Sequence, residues 1–111
     1  MPRSIATVYD GIKFDSKAEA RRWQELTILL AAGEIYDLQH HTRYLLQEGF
    51  TNWRGDRIRP IYYTDDFNYM EDGHRVVEDV KSPASKTQAY QMRIKFFQYK
   101  YRDMEFREVE D

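Results

Sequence analysis

Apolar and polar residues alternate along "TVYDGIKF", Thr7 to Phe14, around an Asp10-Gly11 pair. Alternation marks a half-buried strand and Asp-Gly favours a two-residue turn, so the pattern predicts an N-terminal β-hairpin. The period then changes. In "SKAEARRWQELTILLAAGE" the residues Glu19, Trp23, Leu26 and Leu30 fall within about 60° of one another at helical spacing. This predicts a helix from about Ser16 to Ala32, opened by a Ser16–Glu19 capping box and stopped by Gly33. Strand-like runs follow at Ile35–Leu46, Ile58–Met70 and Arg75–Ser82. A loop at Gln47–Arg57 and a turn at Glu71–His74 separate them, and Pro60 puts the start of the second run near an edge or bulge. After Pro83, Ser85 with Gln88 can cap a second helix from about Lys86 to Tyr101. Its apolar stripe is Tyr90, Ile94, Phe97 and Tyr101. Met104–Val109 reads as a last strand. The order after the hairpin is helix, three strands, helix, strand, which predicts an α/β (α+β) fold with helices packed on a central sheet.

The acids in "YTDDFNYMEDGHRVVEDVKSP", Tyr63 to Pro83, sit inside the strands rather than in the turn. With Asp72-Gly73 as a two-residue turn, Asp66 lies opposite Asp79 and Thr64 opposite Lys81. Side chains alternate along a strand, so Asp66, Asp79 and Lys81 share one face, while Asp65 joins Phe67, Glu78 and Val80 on the other. Opposed carboxylates repel, and burial makes them costlier unless a cation lies between them. A divalent metal between Asp66 and Asp79 removes that repulsion, and hard oxygen ligands suit magnesium or manganese. Lys81 points at the same space, where it can hold an attacking water or neutralise charge on a phosphate. Glu19 heads the core-facing helix stripe and adds a third acid. Two plainer readings stand beside these: Glu19 as the N3 residue of its capping box, and Asp66, Asp79 and Lys81 as an exposed face with an ordinary ion pair.

Composition narrows the class. A length of 111 residues favours a single domain spanning 1–111. The absence of cysteine excludes disulfides and thiolate zinc sites. A net charge of −2 argues against a nucleic-acid coat protein, although the acids concentrate between Asp103 and Asp111 and the rest is mildly basic. No apolar run resembles a leader or reaches membrane-spanning length, so a soluble intracellular protein without membrane association is expected.

Asp66 with "Asp79-Val80-Lys81", preceded by a helix carrying Glu19, resembles the PD-(D/E)XK nuclease superfamily, whose restriction-endonuclease-like core has the order αβββαβ around a mixed sheet. "YDGIKFDSKAEARRWQELTILLAAGEIYDLQ", "YTDDFNY", "VVEDVKS" and "MEFREV" are similar to a family of small phage and prophage proteins assigned to that superfamily. The resemblance runs from about Val8 to Val109. It implies metal-dependent cleavage of DNA, with Asp66 and Asp79 holding Mg2+ (Mn2+ substituting), Glu19 ligating directly or through water, and Lys81 assisting the transition state. Asp65 stands at the position of the motif's proline, which is often missing in the superfamily, and is the rival to Asp66.

The second helix would lie near that site, so Lys86 and Arg93 could contact phosphates. Arg54, Arg57 and Arg59 beside Trp53 form a basic loop suited to nucleic acid. For both groups a solvated surface is the plainer reading. His40 and His41 face opposite ways in a strand and cannot form a simple two-histidine site, whereas Gln39 and Arg43 share the face of His41 and could approach the site. The resemblance further implies an endonuclease of phage replication or recombination, resolvase-like or nicking. It would act in the cytoplasm of an infected or lysogenic host, as a homodimer that reaches two strands. An RNA nuclease and a non-catalytic binding or assembly module on the same fold are the alternatives.

Overall fold

The computed structural model describes residues 7–110. Asp111, the last acid of the C-terminal segment, and the first residues read for a leader lie outside that range. The opening hairpin pairs β1 (Thr7–Tyr9) with β2 (Ile12–Phe14). Asp10 and Gly11 both adopt positive φ, as this tight turn requires. Helix α1 (Lys17–Ala31) starts at Ser16, whose Oγ accepts a hydrogen bond from the Glu19 N–H at 3.2 Å. At its C-terminus Gly33 turns left-handed, its N–H bonds Leu30 O, and the Glu34 N–H bonds Leu29 O, which closes the helix. Ala20, Trp23 and Leu26 are buried, but Leu30 is 40 % exposed, so the apolar stripe ends one turn earlier than its spacing predicts.

Two of the expected long strands are broken. The first divides into β3 (Tyr36–His40) and β4 (Arg43–Gln47). The expected loop contains a small hairpin, β5 (Phe50–Thr51) and β6 (Arg57–Ile58). The second long run divides into β7 (Ile61–Thr64) and β8 (Phe67–Glu71). The third is β9 (His74–Lys81). Pro83–Ser85 forms a 3-10 turn, and α2 (Gln88–Lys100) is capped by Thr87 rather than by Ser85, because Thr87 Oγ1 accepts from the Tyr90 N–H. The chain ends in β10 (Met104–Glu110).

The central sheet has the order β10-β9-β8-β3 and is mixed: β10 runs parallel to β9, and the other pairs are antiparallel. Val76 and Val77, consecutive on β9, point to opposite faces. Val76 joins Phe14, Trp23, Leu26, Phe67 and Tyr69 under α1. Val77 joins Tyr44, Tyr63, Ile94 and Phe97 under α2. The fold is thus the expected α+β arrangement, a mixed sheet with a helix on each face behind an N-terminal hairpin.

The breaks follow from one event. The β8–β9 hairpin keeps the predicted register from Glu71↔His74 to Phe67↔Glu78. Beyond that pair β9 stays with β10, while the preceding chain leaves to pair with β4, Arg43 opposite Thr64. His41, in the left-handed region at φ 53°, kinks the partner strand at the same level. Its N–H bonds Asp66 O and the Asp65 N–H bonds Thr42 O, so the ribbon bends there without losing pairing. Two strands splay apart, and Asp66 lies in the fork.

Candidate metal and phosphate site

Asp66 replaces the strand that has left: its Oδ2 accepts from the Val80 N–H at 2.6 Å. This fixes the carboxylate between β9 and the start of α1. Glu19, the N3 residue of α1, does not close the capping box. Its carboxylate turns to His41, with Oε1 3.4 Å from Nε2. Glu19, His41 and Asp66 offer ligand atoms that all lie within 4.8 Å of one another. Donors around an ion at about 2.0–2.6 Å lie at most about 4.0–5.2 Å apart, a range that brackets this spacing. Two carboxylates and an imidazole therefore fit a small divalent cation by spacing and by chemistry.

The electrostatics agree. Burial, then the carboxylates of Asp79 and Glu19, push the Asp66 carboxyl up to about 9, against the opposing hydrogen bond from Val80. Burial likewise raises Glu19, partly offset by His41. Acids held neutral by crowding await a positive charge. Manganese binding should therefore displace a proton from Asp66, so affinity should rise with pH up to about 9. We expect Mn2+ to raise the melting temperature by several degrees at pH 8 and by much less at pH 5. Differential scanning fluorimetry at both pH values checks this.

Asp79 is buried beside Asp66, on the α2 face of β9. Its Oδ2 accepts from Tyr63 OH at 2.8 Å, and Lys81 Nζ is 3.5 Å from its Oδ1. Burial and the adjacent Asp79 drive the Tyr63 hydroxyl far upward, so it remains a donor. Lys81 Nζ also lies 4.7 Å from the centroid of the Tyr90 ring, which orients the ammonium. Asp79, Lys81, Tyr90, Arg93, Ser85 and Thr87 line a cleft of about 300 Å3. Metal-ligand cluster and cleft thus meet at Asp66 and Asp79, one on each side of the fork.

The four residues singled out for catalysis, Glu19, Asp66, Asp79 and Lys81, come together here. His41 was set aside because period-two alternation turns it away from His40 in an unbroken strand. The kink removes that premise. The His40 and His41 Nδ1 atoms lie 3.2 Å apart, which orients the His41 ring and leaves Nε2 for the cluster. Asp65 is also corrected. It does not join Phe67 and Glu78, which face α1. It accepts from Tyr44 OH at 2.7 Å, Thr42 N at 2.8 Å and Asn68 Nδ2 at 2.8 Å. With these donors Asp65 pins the bend and is no rival to Asp66. Of the basic residues, Arg93 lines the cleft, while Lys86 is paired with Glu110 at 2.9 Å and Glu108 at 3.7 Å. Arg54, Arg57 and Arg59 lie on or beside the β5–β6 hairpin, outside the cleft lining.

Fold and site together give an α+β protein in which a helix-borne glutamate, a kink histidine and the fork aspartate Asp66 offer ligand atoms within 4.8 Å of one another, with Asp79 and Lys81 alongside. The chain belongs to the family described as "Protein of unknown function (DUF1064)", whose profile matches residues 3–109. No curated protein and no solved structure matches it. Among the described residues no helix is long and apolar enough to cross a membrane.

Proposed function

We propose that this protein is a metal-dependent endonuclease that hydrolyses phosphodiester bonds in DNA, with the αβββαβ core read as restriction-endonuclease-like. The observation that carries the reading is the fork: Glu19, His41 and Asp66 gather within 4.8 Å, and Asp79 and Lys81 open beside them into a cleft that Arg93 also lines. Glu19, His41 and Asp66 would hold the ion, with Asp79 adjoining it. The imidazole favours manganese over magnesium, since magnesium takes oxygen almost exclusively. A cation held there would supply Lewis acidity, neutralising phosphate charge and acidifying an attacking water.

The chain's own groups do the rest. Arg93, exposed at the cleft wall, binds a phosphate oxygen and draws the backbone in. Tyr63 keeps Asp79 oriented, and Tyr90 holds Lys81 over the cleft. The Lys81 ammonium then faces the phosphoryl oxygens on which negative charge grows in the transition state.

Lys81→Ala should therefore lower single-turnover cleavage by about a hundredfold, while binding of intact DNA weakens less than about threefold. Lys81→Arg should recover only part of the rate, because a guanidinium is larger and delivers its donors in a fixed fork. A parental rate in Lys81→Ala at saturation would reduce Lys81 to a docking residue. The reading as a whole is tested by incubating purified protein and Mn2+ with matched DNA and RNA oligonucleotides. Cleavage of DNA is expected. Cleavage of RNA alone would make it a ribonuclease, and binding without cleavage would make it a non-catalytic module.

A further inference from the structure

Beyond the fork, the ribbon formed by β4 and β7 continues into β5 and β6 and ends in the tip Asn52–Asp56. The tip is built from its own atoms. Asn52 N–H bonds Asp56 O at 2.9 Å and Gly55 N–H bonds Asn52 O at 3.0 Å. Asn52 Oδ1 accepts from the N–H groups of Arg54 and Asp56, and Gly55 takes a φ of 90° that a side chain would strain. The shape of the tip therefore needs no support from the core. On it stands Trp53, 98 % exposed, a residue type that proteins otherwise bury strongly. Arg54, Arg57 and Arg59 flank it, all exposed, and among the described residues none of the three is in an ion pair.

The base of the arm carries a second feature of the same kind. An apolar groove of about 510 Å3 runs between the arm and α2, lined by Leu46, Ile61, Met92 and Phe96. Ala89 and Arg93 line both this groove and the Lys81 cleft, so the two adjoin. By strand rise over the eleven residues from Thr42, Trp53 stands at most about 36 Å from the fork, about one turn of a duplex. Guanidiniums complement a polyanion. A free indole face and an apolar groove complement bases, and bases expose their faces only where they are unpaired.

We propose that the β5–β6 arm is a wedge for nucleic acid: Trp53 stacks on a base left unpaired at a branch or gap, and Arg54, Arg57 and Arg59 hold the flanking phosphates. The inference rests on the nuclease reading of the fork and names its substrate class, interrupted or branched duplex in preference to continuous duplex.

The test uses the full chain carrying Asp79→Asn, so that the substrate stays intact, with labelled gapped, branched and continuous duplexes of matched sequence. Fluorescence anisotropy should show gapped and branched DNA bound about tenfold more tightly than continuous duplex. Adding Trp53→Ala should remove that preference and change duplex binding less than about twofold, whereas Trp53→Phe should keep part of it. Indole fluorescence should be quenched on binding, and Trp53→Ala should abolish the quench. If the native chain cleaves DNA while Trp53→Ala leaves both preference and quench intact, the wedge is overturned and the nuclease reading stands. If the native chain neither binds nor cleaves any of these substrates, both fall. If Trp53→Ala instead dissolves a dimer in sedimentation without altering DNA binding, the arm is a self-association surface and the wedge is overturned.

Discussion

Asp66→Asn should abolish cleavage, by at least about a thousandfold or ~4 kcal/mol of barrier, and yield a protein more stable than its parent at pH 8. The side-chain oxygen of asparagine can still accept from the Val80 N–H, so the fork keeps its shape. What changes is charge. In the folded protein the Asp66 carboxyl holds its proton up to about pH 9, whereas in the unfolded chain it ionises near pH 4. Between those limits the native state binds more protons than the unfolded state, so stability falls as pH rises, by at most about 1.4 kcal/mol per pH unit. Asparagine contributes no such slope. Without metal, parent and variant should therefore have similar stability near pH 4 and diverge towards pH 8, where the variant should lead by up to about 5 kcal/mol. Urea denaturation in EDTA at both pH values checks the sign. A variant less stable than its parent at pH 8 would mean that Asp66 is a structural carboxylate.

Arg22→Ala should be the most destabilising single substitution proposed for this molecule. Glu78 is completely buried on the α1 face of β9. Arg22 grips it with two hydrogen bonds, Nε to Oε1 at 2.8 Å and Nη2 to Oε2 at 2.6 Å, and Tyr69 OH donates to it as well. Removing the guanidinium strands a carboxylate in the core, at a cost of about 3–5 kcal/mol. Because the Asp66 N–H bonds Glu78 O, the loss also loosens the fork. Adding Glu78→Gln should restore part of the stability, since the stranded charge goes with it. Equilibrium urea unfolding of both variants is the measurement. A loss below about 1 kcal/mol in Arg22→Ala would show that Glu78 finds another partner.

The β8–β9 register was legible because Asp72-Gly73 announces its turn chemically, and both residues adopt the positive φ that the turn needs. Trp23 and Leu26 on α1, and Ile94 and Phe97 on α2, were legible because helical spacing and burial agree at those positions. The splayed strands were not. Ile35–Leu46 and Ile58–Met70 read as continuous runs because residue type does not reveal that pairing changes partner midway. His41 carries no glycine-like signal for its left-handed backbone, and Asp65 looks as acidic as Asp66. The alternation argument reached Asp66 and Asp79 because they lie one step beyond the last β8–β9 pair, Phe67↔Glu78, and the Asp66 N–H still bonds Glu78 O. It failed for Asp65 and His41, which lie at the bend itself. One hint was present: two adjacent aspartates in an apolar run are poor strand residues, a sign of a local interruption.

Single-turnover cleavage of end-labelled branched DNA by the full chain decides whether the forked carboxylates and His41 make a metal-dependent phosphodiester-cleaving site. The native protein should cut in Mn2+, stop cutting when EDTA is added and resume when Mn2+ is restored, while Asp66→Asn and Asp79→Asn remain folded and inactive. No cutting by the native protein in Mn2+ or Mg2+, or cutting that survives both EDTA and Asp66→Asn, would mean that the fork is not a metal-dependent nuclease site.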